Sequence, residues 1–237
     1  KKMIFSLMDE ISSASKEKSI KVIIIAANGN VFSSGHDLKE LTDARANEDG
    51  GDSYFKELFN SCSFLMQSIV DCSKPVIAEV NGVATAAGCQ LVASCDLAIS
   101  SDQSKFATPG VNIGLFCSTP MVALSRNVSK KDAMKMLLTG DMIDAQEAKR
   151  ISLINDCIPE QDLNESVMNL AKKISNKSSS VVKIGKKAFY KQLDLDLSDA
   201  YKYTSKIMAK NSLKDDAIEG ISAFLEKRDP NWRENND

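Results

Sequence analysis

Two short segments of small residues have a composition that could hold a ligand oxygen. FSSGHD (32–37) and TAAGC (85–89) each follow a predicted strand and precede a predicted helix. Small side chains let a ligand approach the backbone, and the first N–H groups of a helix lack a partner and carry partial positive charge. Two such segments facing each other could form an oxyanion hole. Tight packing of a helix on a strand would explain the same residues.

Several polar residues near these segments could take part in chemistry. His36 is the only histidine, and Gln90 is an amide at the start of an apolar helix. Either a role in the site or simple packing fits His36. Asp37 is expected to cap the following helix. Glu79 alternates along a strand and is predicted to face away from the site, and Asp96 is predicted to link a helix to a strand.

Composition excludes several functional classes. The 237 residues are 43 % hydrophobic, with a net charge of −2, so nothing favours nucleic acid or a membrane surface as a partner. Lysines scattered among acids indicate a solvated surface. The six cysteines form no CxxC pair, and with one histidine a metal cluster is not expected. Buried free thiols in a reducing compartment are predicted instead.

Periodicity predicts helices alternating with strands over the first two thirds of the chain. The predicted helices are 1–16, 52–70, 86–95, 120–127, 130–138 and one started by the capping box DAQE (144–147). The predicted strands are 21–27, 75–80, 96–100 and 153–158, with a loop over 27–38 and turns over 107–114. Because residues 1–16 are already helical, we expect the chain to begin inside a fold.

The last part of the chain is predicted to be helical throughout, in segments 161–175, 180–191, 196–211 and 213–226. Strands alternating with helices, followed by such a tail, predict an α/β fold with a core over 1–176 and a helical region over 177–237. The tail is amphipathic and has little core of its own. It is therefore predicted to pack on a neighbouring subunit.

Five motifs in order resemble the enoyl-CoA hydratase/isomerase (crotonase) superfamily. They are VFSSGHDLKEL, KPVIAEVNGVATAAGCQLVASCDLAIS, KFATPGVNIGL, LLTGDMIDAQEAKRISLI and EGISAFLEKRDPNW. The resemblance covers residues 20–232 and implies a crotonase-like spiral of ββα units with a C-terminal helical trimerisation region. It also implies that the usual first strand and its acyl-CoA-contacting loop are absent.

The resemblance further implies an acyl-CoA or enoyl-CoA ligand, no cofactor besides the coenzyme A of the substrate, and a homotrimer or dimer of trimers. The oxyanion hole would use the backbone N–H groups of His36 and Ala87. The implied substrate-binding positions are Ser34, Gly35, Asp37, Leu38, Gly88, Pro109, Cys117, Ser118 and Lys227. Lys227 would reach the phosphates of coenzyme A, and capping of a helix is the alternative for Ser118 and Thr119.

Where the hydratases of the family carry two glutamates, this chain has Gln90 and Gly110. An amide cannot take a proton from water near neutral pH, and each acid–base group is worth about 10²–10⁴-fold in rate. Three hypotheses stay open: a lyase or isomerase with displaced acid–base groups, a methylmalonyl-CoA decarboxylase-like enzyme that uses His36 as proton donor, and a non-catalytic acyl-CoA-binding protein. The expected location is the cytoplasm in a bacterium or the mitochondrial matrix in a eukaryote.

Overall fold

A computed structural model describes residues 1–232 of the chain. Its strands are β1 (Ile23–Ala26), β2 (Val31–Ser33), β3 (Val76–Val80), β4 (Val83–Thr85), β5 (Leu97–Ser101), β6 (Lys105–Ala107), β7 (Ile143–Asp144) and β8 (Asp156–Ile158). Its helices are α1 (Lys2–Lys16), α2 (Leu38–Ala44), α3 (Asp52–Asp71), α4 (Ala87–Ser94), α5 (Pro120–Asn127), α6 (Lys130–Thr139), α7 (Ala145–Arg150), α8 (Leu163–Ser175), α9 (Ser179–Leu193), α10 (Leu197–Ser212) and α11 (Asp215–Glu226). Within these residues, no helix has the length and apolarity to cross a bilayer.

The strands form two four-stranded sheets that the chain visits alternately. The first has the order β1-β3-β5-β8 and the second β2-β4-β6-β7. All neighbours are parallel except β6 and β7. A strand of the first sheet, a strand of the second and a helix therefore make one turn of a spiral. This arrangement confirms the predicted α/β spiral of ββα units.

The prediction from residue patterns missed the strands of the second sheet. A loop was predicted over 27–38, but β2 lies inside it, and no strand was predicted at β4, β6 or β7. Each of these strands has only two or three residues. Such a strand is too short to show an alternating pattern, so only its neighbours in the sheet reveal it.

The first sheet is buried on both faces, as expected for parallel strands. Val76, Ile77 and Val80 of β3 are fully buried. Ile77 packs with Leu163 and Val167 of α8 on one face, while Val76 and Val80 belong to the main core on the other. Continuous apolar runs in the sequence therefore become the central layer between helices.

The helical tail is tied to this core by one buried lysine. Lys186 of α9 donates from Nζ to Oδ2 of Asp96 at 2.7 Å and to the carbonyl oxygens of Ile69 and Lys74. Asp96 also accepts from the Val76 N–H at 2.7 Å. Asp96 thus links a helix to a strand as predicted, and holds the tail as well. The boundary at 176/177 stays a prediction, and residues 233–237 lie outside the described residues.

Candidate functional site

A cavity of about 250 Å³ lies where the two small-residue segments meet. Its polar side is formed by the segment after β2 and by the start of α4, and its apolar side by faces of α1 and α3. The residues that line it and bear on its chemistry are Ser33, Gly35, His36, Asp37, Cys62 and Ala87. The two segments predicted to face each other are therefore brought together at one cavity.

Gly35 and Gly88 allow the two backbone segments to touch. Gly35 has φ of +97°, and a Cβ there would lie 3.0 Å from the Cβ of Ala86 and 3.2 Å from the Ala87 nitrogen. A Cβ on Gly88 would lie 2.1 Å from the Ser33 carbonyl oxygen. Real Cβ atoms do not approach as closely as 2.1 Å, so Gly88 is required, and the positive φ of Gly35 favours glycine there. The small residues thus serve tight packing as well as ligand access.

The turn before α4 is strained and presents an unpaired donor. Ala86 has φ of 51° and ψ of −117°, a conformation that costs a non-glycine residue about 1–3 kcal/mol. The Ala86 N–H donates to the Ala107 carbonyl at 3.0 Å, which holds the turn in place. Ala87 is the first residue of α4, so its N–H has no acceptor within the helix. Within residues 1–232, no acceptor is found for the N–H of Ala87 or of His36.

The imidazole of His36 packs against an aromatic ring beside the cavity. Its ring meets Phe59 edge-on, with 5.5 Å between the centroids. Nε2 is buried and has no hydrogen-bond partner among the described residues. Burial lowers the pKa of His36 below its ordinary value of 6.5. The ring is therefore neutral near pH 7, and its orphaned nitrogen is available to a ligand.

Gln90 lies behind the cavity wall and does not line it. Its side chain is buried, and Oε1 accepts a weak hydrogen bond from Sγ of Cys62 at 3.9 Å. Burial raises the pKa of Cys62 to about 11, so the thiol stays protonated and able to donate. Cys62 itself lines the cavity. Gln90 therefore supports a wall residue, and its amide supplies no acid or base.

Gly110 is closed off by the loop that follows it. Its N–H donates to Sγ of Cys117 at 3.3 Å, and its carbonyl accepts from the Leu115 N–H at 2.9 Å. A Cβ on Gly110 would lie 2.7 Å from the Leu115 carbonyl oxygen and 2.9 Å from the Cys117 sulfur. The space that a glutamate side chain would need is thus filled by this loop. Gly110, Pro109 and Cys117 do not line the 250 Å³ cavity.

The remaining predicted positions divide into those beside the cavity and those away from it. Asp37 lines the cavity, but its Oδ1 accepts from the Lys39 N–H at 2.8 Å and caps α2, as predicted. Ser34 is exposed, and its carbonyl accepts from the Thr85 hydroxyl. Leu38 is exposed and does not line the cavity.

Two further predicted positions lie away from the cavity. Lys227 is exposed at the end of α11 in the left-handed conformation. Ser118 is also exposed and donates from Oγ to the Phe116 carbonyl. The helix capping considered for Ser118 and Thr119 does not occur, since α5 has no side-chain cap.

Residue patterns alone missed the apolar wall of the cavity. It is formed by Ile4 and Leu7 of α1 and by Leu58, Leu65 and Met66 of α3. The periodicity of both helices predicts these faces as apolar, yet it does not show that a cavity opens beside them. Glu79 lies outside this region and accepts from the Asn164 side chain of α8, as predicted for a residue facing away from the site.

Comparisons with known proteins agree on one family. The family model described as Enoyl-CoA hydratase/isomerase matches residues 1–235. The mitochondrial enoyl-CoA hydratase domain-containing protein 3 of Mus musculus is 54 % identical over 230 residues, which cover 97 % of this chain and 75 % of that protein.

Solved structures give the same result. The crystal structure of human enoyl coenzyme A hydratase domain-containing protein 3 matches with a TM-score of 0.92 and 53 % identity, covering 97 % of this chain and 89 % of that one. Enoyl-CoA hydratase from Bacillus anthracis matches with a TM-score of 0.90 and 25 % identity, covering 98 % and 88 %. Both the sequence and the fold are therefore shared with these proteins.

Proposed function

The chain belongs to the enoyl-CoA hydratase/isomerase family, and from this premise we propose that it binds an acyl-CoA thioester with the thioester group in the 250 Å³ cavity. The family acts on such thioesters. The apolar wall from α1 and α3 suits an acyl chain, and the polar side offers backbone donors. No cofactor is proposed beyond the coenzyme A of the substrate.

The chemistry we propose is polarisation of the thioester carbonyl by the N–H groups of His36 and Ala87. The observation that carries it is the contact between the Gly35–His36 segment and the start of α4, where both N–H groups lack an acceptor in residues 1–232. Donors fixed before the reaction stabilise a developing enolate oxygen and are worth about 10²–10³-fold each. Since backbone groups supply this effect, side-chain identity at these positions matters little.

Gln90 and Gly110 make ordinary hydration of an enoyl-CoA inefficient. Neither carries a carboxylate, and Gly110 faces its own loop. We therefore propose an atypical lyase or isomerase whose acid–base group differs from the two glutamates. A specific observation bears on a second candidate, decarboxylation: the unpartnered Nε2 of His36 lies beside the cavity. After the ring takes up a proton it would return that proton to the enolate, a step favoured as the pH falls towards the lowered pKa of His36. The third candidate is acyl-CoA binding without turnover.

Replacing Ala87 by proline tests the oxyanion hole. Proline at the first helical position removes the N–H, and helices accept it there. Here it also restrains Ala86, whose φ of 51° and ψ of −117° differ from the extended conformation preferred before proline. If the protein is an enzyme, A87P is expected to lower its turnover rate about 10²-fold. If it only binds thioesters, A87P is expected to lower its affinity for acetoacetyl-CoA by a similar factor, measured by calorimetry. A145P is the matched control, since Ala145 also begins a helix far from the cavity. If A87P, still folded by circular dichroism, binds and turns over as the wild type does, the oxyanion hole is elsewhere.

Three measurements separate the candidates. Crotonyl-CoA hydration by the wild type is expected near the buffer background. Release of CO₂ from methylmalonyl-CoA that stops in H36A supports the decarboxylase. Tight binding without turnover of a broad panel of thioesters supports the non-catalytic candidate, which any robust reaction excludes.

Assembly and location complete the proposal. We propose a homotrimer or dimer of trimers formed through the helical tail, with Lys227 of one subunit reaching the coenzyme A phosphates bound by the next. In a eukaryote we propose the mitochondrial matrix, since the names of the similar mouse and human proteins include "mitochondrial".

A further inference from the structure

A second cavity, of about 660 Å³, lies at the other end of the first sheet. Lys21 precedes β1 and Pro75 precedes β3, so this cavity faces the amino ends of the strands. The thioester cavity instead follows the carboxyl ends of β2 and β4. The two cavities share no lining residue. The larger cavity is therefore a separate feature, here named the lysine cleft.

The lysine cleft collects positive charge from distant parts of the chain. Seven lysines line it and no aspartate or glutamate does: Lys16, Lys18, Lys21, Lys74, Lys177, Lys183 and Lys214. Lys18 and Lys214 take part in further polar contacts. Of the others, Lys16, Lys21, Lys177 and Lys183 form no ion pair within residues 1–232. All charged residues that line the cleft are therefore positive, although the chain has a net charge of −2, and such a lining attracts anions.

Two carboxylates that lie close to lining lysines in the sequence accept hydrogen bonds from residues that do not line the cleft. The Glu17 carboxylate accepts from the N–H and hydroxyl of Ser19. Asp216 accepts from the hydroxyl of Ser178. The Lys74 ammonium group donates to two carbonyl oxygens at the end of α1 and offsets the negative end of that helix. These carboxylates keep their charge, but among residues 1–232 none of them lines the cleft.

Hydrogen-bond donors complete the wall. Ser179 and Ser180 begin α9, a helix of 15 residues, and line the cleft together with Ser15 and Ser73. The amino end of α9 thus adds partial positive charge and hydroxyl donors to the ammonium groups. Phosphate oxygens accept hydrogen bonds from backbone N–H groups, from hydroxyls and from ammonium groups.

An aromatic ring lies at the edge of the cleft. Trp232 donates from Nε1 to the Asn176 carbonyl at 2.8 Å, and its ring packs on Gly220, where a Cβ would lie 3.2 Å from it. The ring is thereby fixed while partly exposed. A fixed, partly exposed indole can stack on a nucleic base. Trp232 is also the only tryptophan of the chain.

We propose that the lysine cleft binds a small molecule carrying a chain of two or more phosphate groups, either a nucleotide or inorganic polyphosphate. A volume of about 660 Å³ is in the range of ligand sites. The unpaired lysines would be matched by the several negative charges of such a chain, and Trp232 would add affinity for a base. This site goes beyond the proposed thioester function and does not depend on it.

Tryptophan fluorescence tests the proposal directly, because Trp232 is the only source of the signal. Titration with ATP and with inorganic tripolyphosphate is expected to give saturable changes that weaken as salt is added. The double variant K21E/K183E is expected to bind at least about tenfold more weakly. K130E/K131E, which changes the same charge on exposed positions of α6, is the matched control and is expected to bind like the wild type.

The outcomes distinguish a nucleotide from inorganic polyphosphate as the ligand, and they show which results contradict the proposed site. Saturation by both ligands with similar affinity supports a site for the phosphate chain alone, and tighter binding of ATP supports stacking on Trp232. Equal signals from adenosine, or the same loss of binding in K130E/K131E as in K21E/K183E, overturn the proposal. The absence of saturation with either ligand overturns it as well. Binding of acetoacetyl-CoA by K21E/K183E shows that the thioester cavity is intact and keeps the two proposals separable.

Discussion

The two positions proposed to correspond to the family glutamates differ in how much room they leave for a side chain. Gln90 lies in a buried pocket beside Cys62, and a glutamate of similar volume fits there. Gly110 faces the Leu115 carbonyl and the Cys117 sulfur at distances too short for any Cβ. The double variant Q90E/G110E is therefore expected to displace the loop 114–118, and it is not expected to gain hydratase activity while that loop stays in place. The absence of an acidic side chain at residue 110 therefore goes with the position of the whole loop 114–118.

Substituting alanine at two glycines tests this crowding. G110A is expected to lower the free energy of unfolding by about 1–3 kcal/mol because the added methyl group overpacks the loop. G185A is the matched control in the middle of α9, where a Cβ meets nothing within 4 Å. It is expected to raise stability by about 0.5–1 kcal/mol through its higher helix propensity. Urea unfolding measures both, and a neutral G110A would show that the loop is free to move.

His36 gives a pH dependence whose sign follows from its burial. Since burial lowers the pKa in the folded state below 6.5, the unfolded state binds more protons in that range. Stability is therefore complete above about pH 6.5 and is expected to fall as the pH drops towards the folded pKa. As the only histidine, it gives a single pair of imidazole NMR signals that should titrate below 6.5. A midpoint above 6.5 would contradict the buried, unpaired state, and H36N should flatten the stability profile in this range.

At the scale of elements, long segments were predictable and short ones were not. Helix 52–70 and the strand from residue 75 match α3 and β3 almost to the residue. The DAQE pattern gives a cap in which Asp144 accepts from the Glu147 N–H at 2.8 Å. The strands of the second sheet lie inside turn-rich sequence, where local composition favours loops. Their strand geometry is imposed by pairing with distant residues, which local periodicity does not report.

The attachment of the helical tail to the core can be tested at Lys186. Its side chain is 7 % exposed and that of Asp96 is 16 % exposed, so K186M leaves a mostly buried carboxylate without its cation. The expected loss in unfolding free energy is about 3–5 kcal/mol. K187M, at the exposed neighbouring position, is the control and is expected to change stability by less than about 0.5 kcal/mol. If both variants change the free energy of unfolding equally in urea, the contact between Lys186 and Asp96 does not hold the tail on the core.

At the scale of the whole molecule, the tail leaves a large apolar surface uncovered. Its most exposed hydrophobic residues are Leu197, Tyr201, Met208, Leu213, Phe224 and Leu225. Soluble proteins rarely expose so much apolar surface in one region unless a partner covers it. The predicted contact with neighbouring subunits is consistent with this surface.

Charge at this surface is expected to separate the subunits. Phe224 is 83 % and Leu225 is 74 % exposed, and F224E/L225E places two carboxylates where an apolar contact is proposed. Sedimentation velocity is expected to change from a trimer or hexamer to a monomer. F64E, at an exposed aromatic residue of α3, is expected to keep the wild-type assembly. A variant F224E/L225E that remains fully assembled would assign the interface to another surface.

The whole fold also explains which parts of the sites could be foreseen. Segments 32–37 and 85–89 were recognisable because each is locally unusual. The lysine cleft was not, because its lysines are spread from residue 16 to residue 214 among acids and looked like an ordinary solvated surface. Only the spiral, which brings the ends of α1 and α8 and the start of α9 together, collects them.

The alternation of the chain between two sheets also affects how fast the protein can fold. Ile23 of β1 pairs with Val76 and Ile99 of β5 pairs with Asp156, so both contacts close long loops before any pairing energy is gained. β3 and β5 are joined through only β4 and α4, which makes their pairing the least costly of the first sheet. The short separation between β3 and β5 therefore predicts that residues 76–101 pair early in folding and that the other strands of the first sheet join later.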